Sequence, residues 1–432
     1  MNLCTFLRVA SRDGAALHAV RSDPPPRRSA SASAAWYPLL LACCVAILTS
    51  CSRAADPAAS EASPTAPKNA LQLPGVTYWN DQIRKIPWSI HIVKIDRART
   101  DLAFTTTLAR NTVLGLATLG SQIRSVPPSV GKPLAAINGD FYTVDTGPYI
   151  GDPRGLQIMQ GEYLSTPGDQ SVFWIDAKGE PHLGSVESKM TLEWPDGTRS
   201  AMRLNEERSV KETVLYTPRL GSGTQTTGGR EAMVVREGDG PWLPLEIGKT
   251  YTVKIREIRE GGGSSLKGDQ MIVSFGPRVS KSASLKVGDV LKISPMTEPS
   301  LEGSTTALGG GSIMVKGGQP QRFSMPAGGA YKFRSVVERH PRSAIGFNDT
   351  HIFLVEVDGR QGELSVGMTL EELGLYMHKL GCQEAMNFDG GGSATLWVNG
   401  RVVNSPCNGS ERDIGNGLVL VQKTKPNSDP AR

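Results

Sequence analysis

The chain has 432 residues, of which 21% are charged, and its formal net charge is +5 at pH 7. Residues 1–50 contribute +3 of that charge, so the rest of the protein is close to neutral. A nearly neutral chain lacks the basic surface that nucleic-acid binding requires, and we therefore expect no nucleic-acid partner.

The N-terminal residues resemble a bacterial lipoprotein signal. Arg27 and Arg28 precede a run of apolar residues, 36–48, that is too short to span a bilayer as an ordinary helix. Small residues then lead to Cys51, which we expect to be lipidated after residues 1–50 are removed. An ordinary secretory signal or an uncleaved anchor are the alternatives. The prediction is an exported lipoprotein of the cell envelope, on the periplasm-facing outer membrane of a Gram-negative bacterium.

The segment after the signal is a tether. Residues 51–75 are rich in alanine, proline and serine, and they offer little to bury. Two cysteines remain beyond this tether, Cys382 and Cys407. In an oxidising compartment we predict one disulfide between them, with two free buried thiols as the alternative.

The first part of the body predicts strands that lead to a polar cluster. Residues 89–95 alternate like a half-buried strand, with His91 expected at the surface. A helix or loop over 112–126 precedes a buried strand over 133–137. That strand leads to Asn138-Gly139-Asp140, which places a carboxylate where clefts form at sheet edges, although a simple turn is the alternative. Arg154 lies in a long loop, 147–161, suited to the wall of a pocket.

The middle of the chain, about 172–299, is β-rich. Two segments in it look alike, 245–255 and 285–293, and each has a Gly-polar turn between short alternating runs. We expect both to be hairpin-like strand pairs that serve as scaffold.

The last third alternates strands with glycine-rich turns. Residues 309–312 are predicted to form a glycine turn that faces a site, followed by a strand over 313–315. A strand over 351–357 ends at Asp358-Gly359-Arg360, and Thr369 begins a helix by a capping box with Glu372. Gly381 ends that helix. A hairpin with an Asn-Gly turn and a final strand over 417–422 complete the domain.

The run Asn387-Phe388-Asp389-Gly390-Gly391-Gly392-Ser393 lies between that helix and the hairpin. An amide and a carboxylate flank Phe388, and three residues without a Cβ let another group approach the backbone closely. The pattern predicts a ligand-contacting turn, with a tight structural turn as the alternative.

Together the acids and arginines at these strand ends supply carboxylates to activate water and guanidinium groups to hold a phosphate. No Cys/His spacing predicts a metal site, and neither a serine nucleophile elbow nor a P-loop is present. A calcium ion held by Asp140, Asp389 and carbonyls fits the residue types but is unsupported by their spacing, so no cofactor is predicted.

Six motifs in this order resemble the phosphodiester glycosidase family over roughly residues 130–423. They are NGDFY (138–142), HPRSAIG (340–346), VDGR (357–360), SVGMTLEELG (365–374), AMNFDGGGSATLWVNG (385–400) and ER (411–412). Two departures are mild: Phe388 replaces an expected leucine, and the third position of Asn138-Gly139-Asp140 varies in the family.

The resemblance implies hydrolysis of the sugar C1–O bond of glycosyl-1-phosphodiesters, as in a lysosomal family member that acts on α-linked N-acetylglucosamine. Asp389 is the implied acid/base or water-positioning carboxylate, with Asp140 second. The implied binding residues are Asn138 and Asn387 for sugar hydroxyls, Arg342 and Arg412 for phosphate, the N–H groups of Gly390, Gly391 and Gly392, and Ser393, with Asp358 and Arg360 as either binding residues or a salt-bridged turn. The partners are then a phosphorylated glycan and, through the lipid, a membrane.

A non-catalytic envelope protein that binds polysaccharide or assists its export would need the same recognition residues, and it is the competing hypothesis. A pure scaffold lipoprotein leaves the clustered acids and arginines unexplained. For the fold we predict a single mixed α+β domain over 76–425, strand-rich with few helices, followed by a disordered tail over 426–432.

Overall fold

The computed structural model describes residues 71–238, 240–324 and 335–424. The predicted signal, the lipidation site Cys51, most of the tether and the tail lie outside these residues. Strands account for 41% of the structure and helices for 9%, which confirms a strand-rich chain with few helices. The domain is therefore mostly β, and the label α+β fits it only loosely.

Sheet A has eight antiparallel strands in the order β1-β2-β3-β24-β23-β25-β21-β22, with strands numbered along the chain. Its strands are β1 (Leu71–Leu73), β2 (Val76–Ile83), β3 (Trp88–Asp96), β21 (Ile313–Lys316), β22 (Gln319–Pro320), β23 (Arg342–Phe347), β24 (His351–Val357) and β25 (Glu384–Asn387).

Sheet B packs on one face of sheet A and has the order β27-β26-β5-β28-β4. Its strands are β4 (Leu102–Leu108), β5 (Lys132–Asn138), β26 (Leu396–Val398), β27 (Arg401–Val402) and β28 (Asn416–Gln422). Val93 and Leu354 of sheet A share one hydrophobic cluster with Ile137 and Leu418 of sheet B. The two sheets thus form a sandwich with a common core.

The middle of the chain forms two further sheets. Sheet C has the order β7-β6-β20-β8-β9, and sheet D the order β12-β11-β18-β16-β15-β17-β14-β13. The strands of sheet C are β6 (Gln157–Met159), β7 (Glu162–Ser165), β8 (Ser171–Ile175), β9 (Pro181–Ser185) and β20 (Thr306–Gly309). Those of sheet D are β11 (Thr191–Glu193), β12 (Arg199–Ala201), β13 (Arg203–Leu204), β14 (Thr213–Tyr216), β15 (Arg230–Arg236), β16 (Tyr251–Glu260), β17 (Met271–Phe275) and β18 (Val290–Ser294). A short ribbon joins β10 (Glu187–Ser188) to β19 (Thr297–Glu298). Ile158 of sheet C and Val253 of sheet D lie in one hydrophobic cluster, so the two sheets share a core.

The prediction of two hairpin-like pairs in this region is wrong. In each of the two similar segments, only the residues after the glycine turn form a strand, namely β16 and β18. These two strands pair with each other, with Tyr251 opposite Ile293. The internal similarity therefore reflects two turn-then-strand units that lie side by side in sheet D.

Two helices cover the outer faces of the sandwich. Helix α1 (Leu119–Arg124) packs on sheet B, and helix α2 (Leu370–Lys379) packs on sheet A. The predicted capping box of α2 is present, because the Thr369 side chain accepts from the Glu372 N–H while the Glu372 carboxylate accepts from the Thr369 N–H. Leu373 and Met377 of α2 are buried against the sheet.

No helix in the described part of the chain is long and apolar enough to cross a bilayer.

Candidate active site

Strand ends from the two sheets of the sandwich meet at one edge. Strand β5 of sheet B ends at Asn138, and strand β25 of sheet A ends at Asn387. The Asn138 amide donates to the Asp389 carbonyl at 2.8 Å, and the Asp389 N–H donates to the Gly139 carbonyl at 3.0 Å. The two motifs that suggested chemistry in the sequence therefore lie against each other.

A side chain would be disfavoured at each of the three glycines that follow Asp389. A Cβ on Gly390 would lie 2.6 Å from the carbonyl oxygen of Pro341, and Gly391 has a φ of 60°, in the left-handed region. A Cβ on Gly392 would lie 2.9 Å from the amide nitrogen of Asn408. The turn is therefore wedged between the start of β23 and the loop after β27.

Asp140 is the more enclosed of the two candidate carboxylates. It is 3% exposed, and its Oδ2 accepts a hydrogen bond from the Gly155 N–H at 2.7 Å. Burial raises the pKa of Asp140 to about 8, and the charge of Asp389 raises it further, while the N–H groups of Gly155 and Phe141 oppose the shift. The Asp140 carboxyl consequently carries a proton at neutral pH.

A second glycine turn encloses that carboxyl. A Cβ on Gly309 would lie 2.7 Å from Oδ2 of Asp140, and a Cβ on Gly311 would lie 2.6 Å from the Asn387 side chain. This agrees with the expectation that residues 309–312 face the same site as the Asp389 turn. These glycines allow sheet C to approach the carboxyl closely enough to exclude water.

Asp389 is partly exposed, and its surroundings are more polar. Its Oδ1 accepts from the Gly390 N–H at 2.9 Å. Burial raises the pKa of Asp389, and the nearby Ser393 hydroxyl, the Gly390 N–H and the charges of Arg412 and Arg154 act against that rise. Ser393 is buried, and its hydroxyl lies close to the side chains of Asp389 and Tyr142 without a fully formed hydrogen bond to either.

Three exposed arginines surround the pair of carboxylates. The guanidinium of Arg360 lies 3.0 Å from where a Cβ on Gly391 would stand, and that of Arg412 lies 5.8 Å from the centre of the Tyr142 ring. The charge of Arg154 acts on both Asp140 and Asp389. Within the described ranges, none of the three arginines has a carboxylate partner at salt-bridge distance. They leave a positive rim around two carboxylates, which suits a ligand with an anionic phosphate.

The structure gives both asparagines a different role from the one the resemblance implies. The Asn138 Oδ1 accepts from the Ser343 hydroxyl at 2.6 Å and from the Thr395 N–H at 3.0 Å. The Asn387 Oδ1 accepts from the Ser312 N–H at 2.8 Å, and its amide group donates to the Phe388 carbonyl at 2.9 Å. Both side chains are buried and hold neighbouring loops, so the structure supports a positioning role for them, and their contact with a sugar stays a prediction.

Two of the three glycine N–H groups that were expected to contact an anion have partners within the protein. The Gly390 N–H donates to Asp389, and the Gly391 N–H donates to the Pro341 carbonyl at 2.9 Å. Contact of the Gly390, Gly391 and Gly392 N–H groups with an anion stays a prediction.

Arg342 is also bound to the protein. Its Nε donates to the Met368 carbonyl at 2.8 Å, and one Nη donates to the Ser335 and Glu338 carbonyls at 2.5 and 2.8 Å. Burial lowers the pKa of Arg342 to about 10, with the charge of Arg360 as the second cause. These contacts support an anchoring role for Arg342, and its contact with phosphate stays a prediction.

The Asp358-Gly359-Arg360 turn divides between the two roles considered for it. Asp358 is buried, and its Oδ1 accepts from the Ser405 N–H at 2.7 Å. Its Oδ2 lies 3.0 Å from Nε2 of His91. Arg360 instead points to the glycine turn, where its Nη2 donates to Nδ1 of His340 at 3.4 Å. Asp358 therefore anchors the turn within the protein, whereas Arg360 lies beside the glycine turn, and its contact with a ligand stays a prediction.

The predicted disulfide is absent, because Cys382 and Cys407 are both free. Cys382 is buried under α2, where a Cβ on Gly346 would lie 2.9 Å from its sulfur. The Cys407 sulfur instead lies 3.7 Å from the Gly391 carbonyl. Both thiols are free, as in the alternative that the sequence left open, but only Cys382 is buried and Cys407 is half-buried.

A cavity of about 600 Å³ lies at the opposite end of strand β24, and it does not contain these residues. Two of its cations are already paired, Arg97 with Glu180 and Arg99 with Asp101. Its chemistry is therefore less suited to an anionic ligand than the rim around Asp389.

Sequence reasoning missed Tyr142 and His340 as members of the site. Both lie inside motifs used for the resemblance, but a tyrosine or a histidine beside a turn has no spacing that indicates its partner. Arg154 was expected only in a loop that could line a pocket, and the structure places that loop beside both carboxylates.

Residues 256–421 match the family model of the phosphodiester glycosidases, which confirms the resemblance predicted from the motifs. A curated relative, the SPbeta prophage-derived protein YomE of Bacillus subtilis (strain 168), is 29% identical over 120 residues. That alignment covers 28% of this chain and 18% of the relative, so the chain spans less than a fifth of its length.

Two solved structures share the fold. A hypothetical protein from Synechocystis is 20% identical with a TM-score of 0.64, and the alignment covers 81% of this chain and 62% of that one, less than two thirds of its length. A protein of Burkholderia pseudomallei K96243, described by its name as a candidate exported protein, is 21% identical with a TM-score of 0.60. The alignment covers 78% of this chain and 74% of that one.

Proposed function

We propose that this protein, whose residues 256–421 match the phosphodiester glycosidase family, hydrolyses the sugar C1–O bond of glycosyl-1-phosphodiesters. The substrates would be α-N-acetylglucosamine-1-phosphodiesters or phosphodiester-linked polysaccharides of the bacterial envelope. The observation that carries the proposal is the position of the buried Asp140 and the partly exposed Asp389 on two hydrogen-bonded segments. Around them lie Arg154, Arg360 and Arg412, which have no carboxylate partner at salt-bridge distance in the described residues.

The leaving group decides how much acid catalysis the reaction needs. When the C1–O bond breaks, its electron pair goes to a phosphate oxygen, and a phosphate diester leaves as a weakly basic phosphate monoester. Protonation of the leaving oxygen is therefore less necessary than for an ordinary glycoside. Cations that neutralise the phosphate can supply much of the stabilisation.

Asp389 is the carboxylate that a substrate can reach. In the proposed reaction it accepts a proton from the water that attacks C1, and it orients that water. Asp140 is enclosed and neutral, so its role is to limit the negative charge next to the phosphate. Arg360 and Arg412 hold the phosphate oxygens, and the Ser393 hydroxyl and the Gly392 N–H contact the substrate beside them.

The location follows from the same proposal. An envelope polysaccharide would be met by an exported protein, and the proposed lipid on Cys51 would hold the domain near a membrane. The export proposed in the name of the Burkholderia protein is in keeping with this location.

The test is sugar release from a panel of glycosyl-1-phosphodiesters by the full-length chain in detergent. Asp389→Asn should fold normally and lower turnover by about 10²-fold or more, because it removes the proton acceptor. Asp145→Asn is the matched control, since Asp145 is an exposed carboxylate in the loop after the NGDFY motif.

Turnover by Asp389→Asn within about threefold of the unmodified protein would remove Asp389 from the mechanism. Saturable binding of the same compounds without any cleavage would replace the hydrolase by a glycan-binding protein.

A further inference from the structure

A row of polar side chains crosses sheet A on the face that packs against sheet B. Asn80 of β2 lies opposite His91 of β3, and His91 lies opposite Glu356 of β24. Asp358 follows two residues after Glu356, so its side chain lies on the same face. The row sits at the end of the core that Val93 and Leu354 form, where apolar residues would be expected.

His91 is 6% exposed, which corrects the expectation that it lies at the surface. Its Nε2 lies 3.0 Å from Oδ2 of Asp358 and 3.2 Å from the Ser89 hydroxyl. Its Nδ1 lies 2.9 Å from the Tyr78 hydroxyl. Both ring nitrogens are therefore held in fixed positions by neighbours in the same sheet.

Glu356 is the unexplained member of this row. It is 0% exposed, and neither of its carboxylate oxygens has a hydrogen-bond partner in the described residues. A buried carboxylate without partners is costly whether or not it is protonated, because both forms have lost their hydration.

We propose that His91, Glu356 and Asp358 form a buried binding site for a divalent first-row transition metal ion, with Zn²⁺ as the best match. One ligand atom from each residue lies within 4.8 Å of the other two. Zinc bound to imidazole nitrogen and carboxylate oxygen at about 2.0–2.2 Å brings its ligand atoms to about 3.3 Å from one another. Nε2 of His91 and Oδ2 of Asp358 are already 3.0 Å apart, so the Glu356 carboxylate would move toward them to bring the three ligand atoms to this spacing.

The charges and the second contacts of the ligands support this choice. The two carboxylates of Glu356 and Asp358 balance the charge of a divalent ion. Metal binding would therefore make the Glu356 carboxylate part of an electrically neutral group in the core. With its proton on Nδ1, the His91 ring can donate to the Tyr78 hydroxyl, which leaves the Nε2 lone pair for the metal. An imidazole ligand favours zinc over calcium and magnesium, which prefer oxygen alone.

The ion would have a positioning role and would not be part of the chemistry. Asp358 holds the Ser405 N–H at 2.7 Å, and the Ser405 hydroxyl lies 2.9 Å from the Gln361 side chain. The same loop continues to Cys407 and Asn408, which contact the glycine turn after Asp389. A metal at the Asp358 end of the row would thus hold this loop against the active site.

The test is metal binding by the untagged full-length chain in detergent, after EDTA treatment and dialysis. Incubation with ZnCl₂ followed by elemental analysis should give one retained zinc per chain, and a 100-fold excess of Ca²⁺ or Mg²⁺ should not displace it. Glu356→Gln should lose this zinc, and it should still fold because glutamine resembles the protonated acid in shape. Glu231→Gln is the matched control, because Glu231 is equally buried but is already bonded to Thr226 and Ser274.

Two further measurements keep the proposal falsifiable if Glu356→Gln fails to fold. Zinc at about 100 times its Kd should raise the Tm of the unmodified chain and of Glu231→Gln by about 3–5 °C. X-ray absorption at the zinc edge should show only nitrogen and oxygen ligands. Failure of the unmodified chain to retain zinc, a sulfur ligand, or equal retention by a folded Glu356→Gln would each overturn the proposal. None of these readouts depends on sugar release, so they are independent of the proposed hydrolase activity.

Discussion

The burial of the Asp140 carboxyl should make the free energy of unfolding depend on pH. Its pKa is about 8 in the folded protein, against an ordinary value of 3.8. Between these two values the folded chain keeps a proton that the unfolded chain has lost, so stability falls as the pH rises. At about 1.4 kcal/mol per pH unit, this carboxyl costs the protein about 5 kcal/mol between pH 4 and pH 8.

Asp140→Asn should remove this dependence, because an amide resembles the protonated carboxyl and does not titrate. The oxygen of the amide can still accept from the Gly155 N–H. We compare the free energy of unfolding of the variant with that of the unmodified chain. This difference should shift in favour of the variant by about 3–5 kcal/mol between pH 4.5 and pH 8. Other buried acids, such as Asp152, titrate in both proteins and cancel in this difference.

Equilibrium urea unfolding at the two pH values, followed by tryptophan fluorescence, measures the effect. Asp145→Asn is the control for the substitution itself, since Asp145 is an exposed aspartate in the same part of the chain. If the stability difference for Asp140→Asn changes by less than about 1 kcal/mol between the two pH values, Asp140 is not protonated in the fold.

Three further predictions concern single contacts. Thr369→Ala should lower the free energy of unfolding by about 1 kcal/mol in urea melts, because it removes a helix capping box, and an unchanged midpoint would contradict that role. Gly390→Ala should destabilise by about 2 kcal/mol or more, because its Cβ would lie 2.6 Å from a carbonyl oxygen, whereas Gly362→Ala, which meets nothing within 4 Å, should be nearly neutral. Arg412→Gln should raise KM for a phosphodiester substrate about 10-fold or more, and Arg401→Gln, at an exposed position on strand β27, should leave it unchanged.

Helix α2 could be predicted from the sequence because all its signals are local. Thr369, Glu372 and Gly381 lie within thirteen residues of one another and fix the start and end of the helix. Strand β24, which leads to Asp358, could also be predicted, because a run of apolar residues stops at a turn. The sequence also indicated that Asp140 and Asp389 belong to one site, through the order of the motifs.

The burial of His91 could not be predicted in the same way. Its strand alternates apolar and polar residues, and such alternation normally places the polar residues toward water. Sheet B covers that face, and the acid that contacts His91 is 267 residues away in the chain. The roles of Asn138 and Arg342 depend on similarly distant partners, so residue type alone suggested ligand contacts where the fold uses them as anchors.

The two hydrogen bonds between the Asn138 and Asp389 segments also have a mechanical consequence. Packed sheets can slide past each other by small amounts, and a site built from one strand end of each sheet would change its geometry with every such shear. Here the main chain of Asp389 is bonded to the strand end that carries Asp140. The segments that carry the two carboxylates therefore move together. When the sheets slide, the distance between Asp140 and Asp389 is maintained by these two hydrogen bonds and does not depend on the rigidity of the whole sandwich.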